Sequence, residues 1–105
     1  MSKAVKTFEL ELPRQRALEG CRVAIAYLNW DLVERGADQI SGRQDPARLC
    51  CRSAPVTVEI VAGDAGGSTT RVALHGTVPG FGPIAGRDLR SGLAALEAAI
   101  RRSLA

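Results

Sequence analysis

Residues 56–78, VTVEIVAGDAGGSTTRVALHGTV, carry the pattern that decides the fold. Apolar side chains alternate with others on both sides of the glycine-rich connection 63–68, at Val56, Val58 and Ile60 and then at Val72, Leu74 and Val78. A period of two places every second side chain on the same face of a strand. The stretch therefore predicts two antiparallel strands that share one apolar face.

A strand and a helix precede this pair. Residues 6–12 alternate in the same way until Pro13, with apolar side chains at Phe8, Leu10 and Leu12. Residues 14–28 repeat apolar side chains at steps of three and four, the pattern of an amphipathic helix, at Leu18, Cys21, Ile25 and Leu28. Because a glycine inside a helix costs about 1 kcal/mol relative to alanine, we expect Gly20 to admit a bulky side chain or a second backbone.

The middle of the chain predicts short strands. Residues 30–35 and 39–44 are two of them, joined by a turn at Gly36-Ala37-Asp38, since glycine and aspartate favour tight turns. Residues 48–52 indicate further extended chain. Pro55 cannot donate a ladder hydrogen bond and indicates an edge or a bulge.

The C-terminal segment predicts the second helix, over residues 88–104. Its apolar positions are Leu89, Leu93, Leu96, Ile100 and Leu104. Asp88 near the start and Arg101 and Arg102 near the end complement the helix dipole. The preceding residues 78–87 are rich in proline and glycine and predict an irregular loop.

Together these elements predict one domain over residues 1–105 with an α+β fold in the order β-α-β-β-β-β-α. Each helix has one apolar stripe, so we expect both on one face of an antiparallel sheet of four to five strands. The predicted core of that face consists of Phe8, Leu10, Val56, Val58, Ile60, Val72 and Leu74.

The composition argues against nucleic-acid-binding, membrane and secreted proteins. The chain has 105 residues and a net charge of +3, and its arginines are dispersed from Arg14 to Arg102, so we expect no nucleic-acid-binding surface. No stretch approaches the roughly 20 apolar residues of a membrane helix, and the N-terminus lacks the pattern of a secretion signal. These features predict a cytoplasmic protein that does not contact a membrane.

The cysteines do not form a recognisable site. Three cysteines, two of them adjacent at Cys50 and Cys51, argue against a disulfide framework. One histidine cannot complete a usual zinc set with them. We expect small apolar fillers, no metal and no cofactor.

His75 is the main candidate for a functional side chain. It is the only histidine, and imidazole suits general acid–base work near neutral pH. The predicted register places it on the sheet face opposite the helices, beside Arg71 and across from Glu59. A histidine next to a glutamate on the neighbouring strand suits a general base, a pH-sensitive contact or a plain cross-strand ion pair.

Apolar candidates lie near the element ends. The run Gly80-Phe81-Gly82-Pro83-Ile84-Ala85-Gly86 before a helix has glycines that would admit a phosphate, but it is not G-x-G-x-x-G and Pro83 lacks an amide donor. We expect a structural connection whose Phe81 and Ile84 are available for an apolar contact. Trp30 is expected to pack beneath the C-terminal helix, with ligand lining as the alternative.

Several segments together resemble a known class of domain. They are Leu28-Asn29-Trp30, Gln39-Ile40-Ser41, Val56-Thr57-Val58-Glu59-Ile60-Val61, Thr70-Arg71-Val72-Ala73-Leu74 and Gly86-Arg87-Asp88-Leu89-Arg90. In this order, over about residues 6–104, they resemble small bacterial domains of the helix-grip type. The outline is similar to a shortened Bet v 1-like (START-type) domain or to half of a TATA-binding-protein-like fold. The resemblance implies a fold more than an activity.

Two functions from different classes follow. The first is a non-enzymatic binding or assembly module that pairs with itself or a protein partner through the open sheet face or a strand edge. The alternative is a START-like carrier of a small hydrophobic ligand between the C-terminal helix and the sheet, with Trp30, Phe81 and Ile84 at the mouth. A carrier needs an internal cavity of at least about 300 Å³. An enzyme would need His75 and Glu59 to converge with a third polar group in a cleft.

Overall fold

The computed structural model describes residues 1–34, 39–44 and 55–104, apart from the side chain of Ala65. Its elements follow the predicted order β-α-β-β-β-β-α. They are β1 (Ser2–Leu10), α1 (Arg14–Tyr27), β2 (Asp31–Glu34), β3 (Gln39–Arg43), β4 (Thr57–Gly66), β5 (Thr69–Val78) and α2 (Pro83–Ser103). The strands form an antiparallel sheet in the order β1-β5-β4-β3-β2, so β1 and β2 are its edges within the described residues.

Both helices pack on one face of the sheet, as the apolar stripes predict. All seven predicted core residues are buried there, together with Ile40 of β3 and the apolar stripes of the two helices, of which Leu28 and Leu104 are partly buried. Ile25 of α1 and Leu89 of α2 are buried in the same cluster. The opposite face carries no described helix.

Two glycines mark the closest approaches of α2. A Cβ added at Gly76 of β5 would lie 2.8 Å from Leu89 and 2.9 Å from Leu93, so these two side chains of α2 lie directly on the backbone of the sheet. A Cβ added at Gly20 would lie 2.7 Å from Leu104, and the Ser103 hydroxyl donates to the Gly20 carbonyl at 3.1 Å. The expectation that Gly20 admits a bulky side chain is confirmed.

The first strand begins earlier than the predicted range 6–12. β1 pairs with β5 from Ser2, opposite Val78, to Leu10, opposite Thr70. The Thr70 hydroxyl then donates to the Leu12 carbonyl at 2.6 Å, after the chain has left the sheet. Backbone pairing with β5 sets the limits of β1. The alternation of side chains over a few residues carries no information about this pairing.

The second helix also begins earlier than predicted, at Pro83 instead of Asp88. The fixed φ of proline suits the first position of a helix, where its missing N–H is not needed. The Gly86 N–H donates to the Gly82 carbonyl at 3.1 Å, so the first turn is formed. The prediction of an irregular loop up to residue 87 is therefore wrong beyond Gly82.

The predicted flexible connection 63–68 is mostly strand. β4 continues to Gly66 and β5 starts at Thr69, with a register shift between Asp64 and Gly66. Gly66 and Gly67 have φ of 108° and 56°, which only glycine adopts freely, so the turn is confined to the tip of the hairpin.

The remaining predictions concern the middle of the chain. β2 and β3 match the predicted strands 30–35 and 39–44, with β2 starting one residue later and β3 ending one residue earlier. Pro55 directly precedes Val56, whose N–H bonds to the Gln44 side chain before β4 begins. The predicted turn 36–38, the extended segment 48–52, Cys50 and Cys51 lie outside the described residues.

Candidate functional site: a groove on the open face of the sheet

Three strands present polar side chains side by side on the face opposite the helices. Glu59 of β4 lies opposite His75 of β5, and His75 lies opposite Val5 of β1. The next row contains Thr57, Thr77 and Lys3 in the same strand order. The predicted register, with His75 across from Glu59 on the open face, is therefore confirmed.

These rows line a groove of about 410 Å³. Its side chains are Lys3, Val5, Thr57, Glu59, Val61, His75 and Thr77, with Ala4 and Gly76 between them. A smaller hollow of about 40 Å³ continues from Glu59 and Val61 toward Gln39 and Ser41 of β3. The open face thus has a recess that spans β1, β5 and β4.

The chemistry of the groove suits contact more than catalysis. It combines the Lys3 ammonium, the Glu59 carboxylate, an imidazole and two hydroxyls with the apolar surface of Val5, which is 62% exposed. His75 and Glu59 do converge with further polar groups, as an enzyme would require. Both are exposed to solvent, however, whereas polar catalytic groups gain most of their effect in a site that excludes water.

Arg71 lies apart from this pair. It is four residues before His75 on β5, about 13 Å along the strand. Its guanidinium donates to Glu9 of β1 at 3.1 Å, and both side chains are exposed. The structure therefore places Arg71 on the open face, as predicted, but in an ion pair beyond the groove.

Trp30, Phe81 and Ile84 are not brought together. Trp30 packs on the α1 side, where its backbone N–H donates to the Ile25 carbonyl and its ring lies 3.4 Å from the Cβ position of Gly42. These contacts correct the expectation that it lies beneath α2. Phe81 and Ile84 are 82% and 63% exposed at the start of α2. Trp30 directly precedes β2, whereas Phe81 and Ile84 follow β5. These two strands are three strand spacings apart, about 14 Å, so Trp30 is separated from the other two residues by the width of three strands.

Sequence reasoning missed the contribution of β1 to the groove. Lys3 and Val5 precede the predicted strand, and the alternation fails at this point because apolar Val5 faces outward while Lys6 turns to the helix side. There the Lys6 ammonium lies 3.5 Å from the Glu97 carboxylate of α2. A polar partner on α2, which a strand pattern does not reveal, explains the reversal.

The described cysteine is not a reactive site. Cys21 is completely buried on α1, and burial raises the pKa of its thiol from 9.0 to about 12, while the Arg22 charge opposes the shift. The thiolate is the nucleophilic form, so this cysteine is inert near neutral pH. Within residues 1–34, 39–44 and 55–104, no three His, Cys, Asp or Glu side chains group so as to hold a metal ion.

Comparison with known proteins concerns the fold. No family model matches the sequence, and no curated protein matches it. Among solved structures, the di-domain aromatase/cyclase BexL of the BE-7585A biosynthetic pathway superposes with a TM-score of 0.56 at 17% identity. The fold is of the helix-grip type. The match covers 99% of this chain and 46% of BexL, so this chain spans just under half the length of that two-domain protein.

Two other structures are less similar. The Zhui aromatase/cyclase of Streptomyces sp. R1128 gives a TM-score of 0.46 at 16% identity, covering 97% of this chain and 86% of its own. Ara h 8.0201 gives 0.39 at 12% identity, covering 96% and 99%. Identities this low concern the fold alone. No helix in the described part of the chain is long and apolar enough to cross a membrane.

Proposed function

We propose that the protein is a non-enzymatic binding and assembly module that associates with a second copy through the open side of its sheet. The observation that carries this proposal is the groove of about 410 Å³ on the face without a described helix. Its floor is formed by backbone and side chains of three paired strands, so the surface is fixed before a partner arrives.

Exposed apolar surface supports association at this side. Val5, on an edge strand and in the groove, is 62% exposed, and the row next to it includes the partly exposed Val61 and Ala73. A strand edge that has no pairing partner among the described residues, next to a recess with both apolar and polar side chains, invites a further protein surface.

The experiment compares two exposed valines. Val5→Asp adds a charge to the groove, whereas Val23→Asp adds the same charge to α1, where the valine is 51% exposed. Size-exclusion chromatography with light scattering is expected to give a dimer for the wild type and Val23→Asp and a monomer for Val5→Asp, with far-UV circular dichroism to verify folding. A wild type that stays monomeric at its highest soluble concentration would overturn the proposal.

A ligand carrier is the second candidate, favoured by the helix-grip fold shared with an aromatase/cyclase. The ligand would lie between α2 and the sheet. In the described residues, however, the Cβ position of Gly92 lies 3.2 Å from Val56, and that of Gly76 lies still closer to Leu89 and Leu93. These contacts occupy the space that a ligand would need, so the geometry supports the first function better.

Trp30 provides the test of the carrier, because it is the only tryptophan and packs against the core. Titration with 1-anilinonaphthalene-8-sulfonate is expected to leave its emission unchanged in the folded protein. A saturable change at one molecule per chain would favour the carrier over the assembly module.

A further inference from the structure

We propose that β1 of a second copy adds to the sheet beside β1, Ser2–Leu10, as an antiparallel strand. In the proposed register the numbers of two facing residues add up to twelve. This inference rests on the proposed self-association and names its surface. The two sheets then form one continuous sheet about a two-fold axis at Lys6.

The register follows from the geometry of β1. A two-fold axis perpendicular to a sheet reverses the strand and keeps the faces, so odd residues must lie opposite odd residues. Among such registers, this one aligns the whole of Ser2–Leu10 with its symmetry mate. Ser2 lies opposite Leu10 of the second copy, and Val5 lies opposite Thr7.

Charge complementarity singles out the same register. Lys3 and Glu9 both face the open side and are exposed. In the proposed pairing Lys3 of each copy lies opposite Glu9 of the other, which gives two cross-strand ion pairs. A shift by two residues in either direction places Lys3 opposite Thr7 or opposite Glu11 beyond the strand, so no such pair forms within β1.

Lysine on an edge strand ordinarily prevents pairing, because it brings a charge to any neighbouring strand. Among pairs within β1, Lys3 meets an acidic residue only in this register, so it favours this register over the others. Lys6 meets its own symmetry mate at the axis. Each Lys6 already lies 3.5 Å from Glu97 on its own α2, which offsets the repulsion.

The pairing would also enlarge the groove. Lys3 and Val5 form its β1 wall, so Glu9 and Thr7 of the second copy would continue the floor past that wall. Glu9 already accepts from Arg71 at 3.1 Å, so each pair becomes the row Arg71, Glu9 and the Lys3 of the second copy. The site is then shared between two chains.

The test uses charge reversal on the full chain, followed by sedimentation velocity. Lys3→Glu and Glu9→Lys each place like charges opposite one another, and each is expected to raise the dimer dissociation constant at least about tenfold. Their equimolar mixture is expected to recover a heterodimer, since its two chains carry opposite charges at positions 3 and 9. Glu11→Lys makes the same charge change just beyond β1 and is expected to leave the dissociation constant unchanged.

The outcomes separate this inference from the proposed function. A wild-type dimer that both reversals leave intact, or a mixture that stays monomeric, overturns the pairing at β1 and leaves self-association standing. A monomeric wild type overturns both. Lys3→Gln removes the ion pair without repulsion, and an intermediate dissociation constant for it shows that the loss in Lys3→Glu does not come from misfolding.

Discussion

Gly76 is the residue at which α2 comes closest to the sheet. Gly76→Ala would place a methyl group 2.8 Å from a terminal methyl of Leu89 and 2.9 Å from one of Leu93, and both leucines are buried, so their side chains have little room to move aside. Overpacking of this kind costs about 1 to 3 kcal/mol, so the urea midpoint is expected to fall.

Gly63 is the matched control on the neighbouring strand. Its Cβ position has no atom within 4 Å, so Gly63→Ala is expected to change the free energy of unfolding by less than about 0.5 kcal/mol. Equal urea midpoints for the two variants would contradict the close approach of α2.

Cys21 makes stability depend on pH in the alkaline range. Burial raises the pKa of its thiol from 9.0 in the unfolded chain to about 12 in the fold. Above pH 9 the unfolded state releases this proton while the folded state retains it, so the free energy of unfolding falls as pH rises, by at most about 1.4 kcal/mol per pH unit.

Urea denaturation between pH 8 and 10.5 measures this slope. Cys21→Ala removes the proton and is the reference, because all other titrating groups stay the same. The wild type is expected to lose stability more steeply than Cys21→Ala. Parallel slopes would mean that the thiol ionises as readily in the fold as outside it.

At the scale of the element, the hairpin of β4 and β5 depends on two glycines with different backbone angles. Gly67 has φ of 56°, a left-handed conformation that asparagine tolerates, whereas Gly66 at 108° lies outside it. Gly67→Asn is therefore expected to cost about 1 kcal/mol less than Gly66→Asn. Thermal unfolding of the two variants measures the difference, and a larger cost at Gly67 would be incompatible with this turn.

The hairpin of β4 and β5 and the start of α2 show which features of the fold can be predicted from local sequence. The register of β4 on β5 was predictable, because a short connection joins two alternating strands and fixes Glu59 opposite His75. The start of α2 at Pro83 was not predictable from the density of proline and glycine in residues 78–87, which is typical of a loop, although proline also suits the first turn of a helix.

At the scale of the whole molecule, the part of the groove that depends on distant pairing was not predictable. Lys3 and Val5 join the site because β1 pairs with β5, whose residues lie at the other end of the chain. Lys6 turns inward because of Glu97 on α2. Neither the pairing with β5 nor the contact with Glu97 produces a repeating pattern in the sequence near β1. The order of elements and the apolar faces that they share do produce such patterns, so they were predictable.

Assembly at β1 would also couple stability to protein concentration. A dimer that forms from folded chains stabilises them by mass action, so the thermal midpoint of the wild type is expected to rise with concentration, while that of Lys3→Glu begins to rise only at about tenfold higher concentration. Concentrated salt shortens the screening length to about 3 Å and weakens exposed ion pairs, so it should move the wild type toward the variant. A wild-type midpoint that is independent of protein concentration at low salt would contradict assembly at β1, because association of folded chains necessarily makes the midpoint depend on concentration.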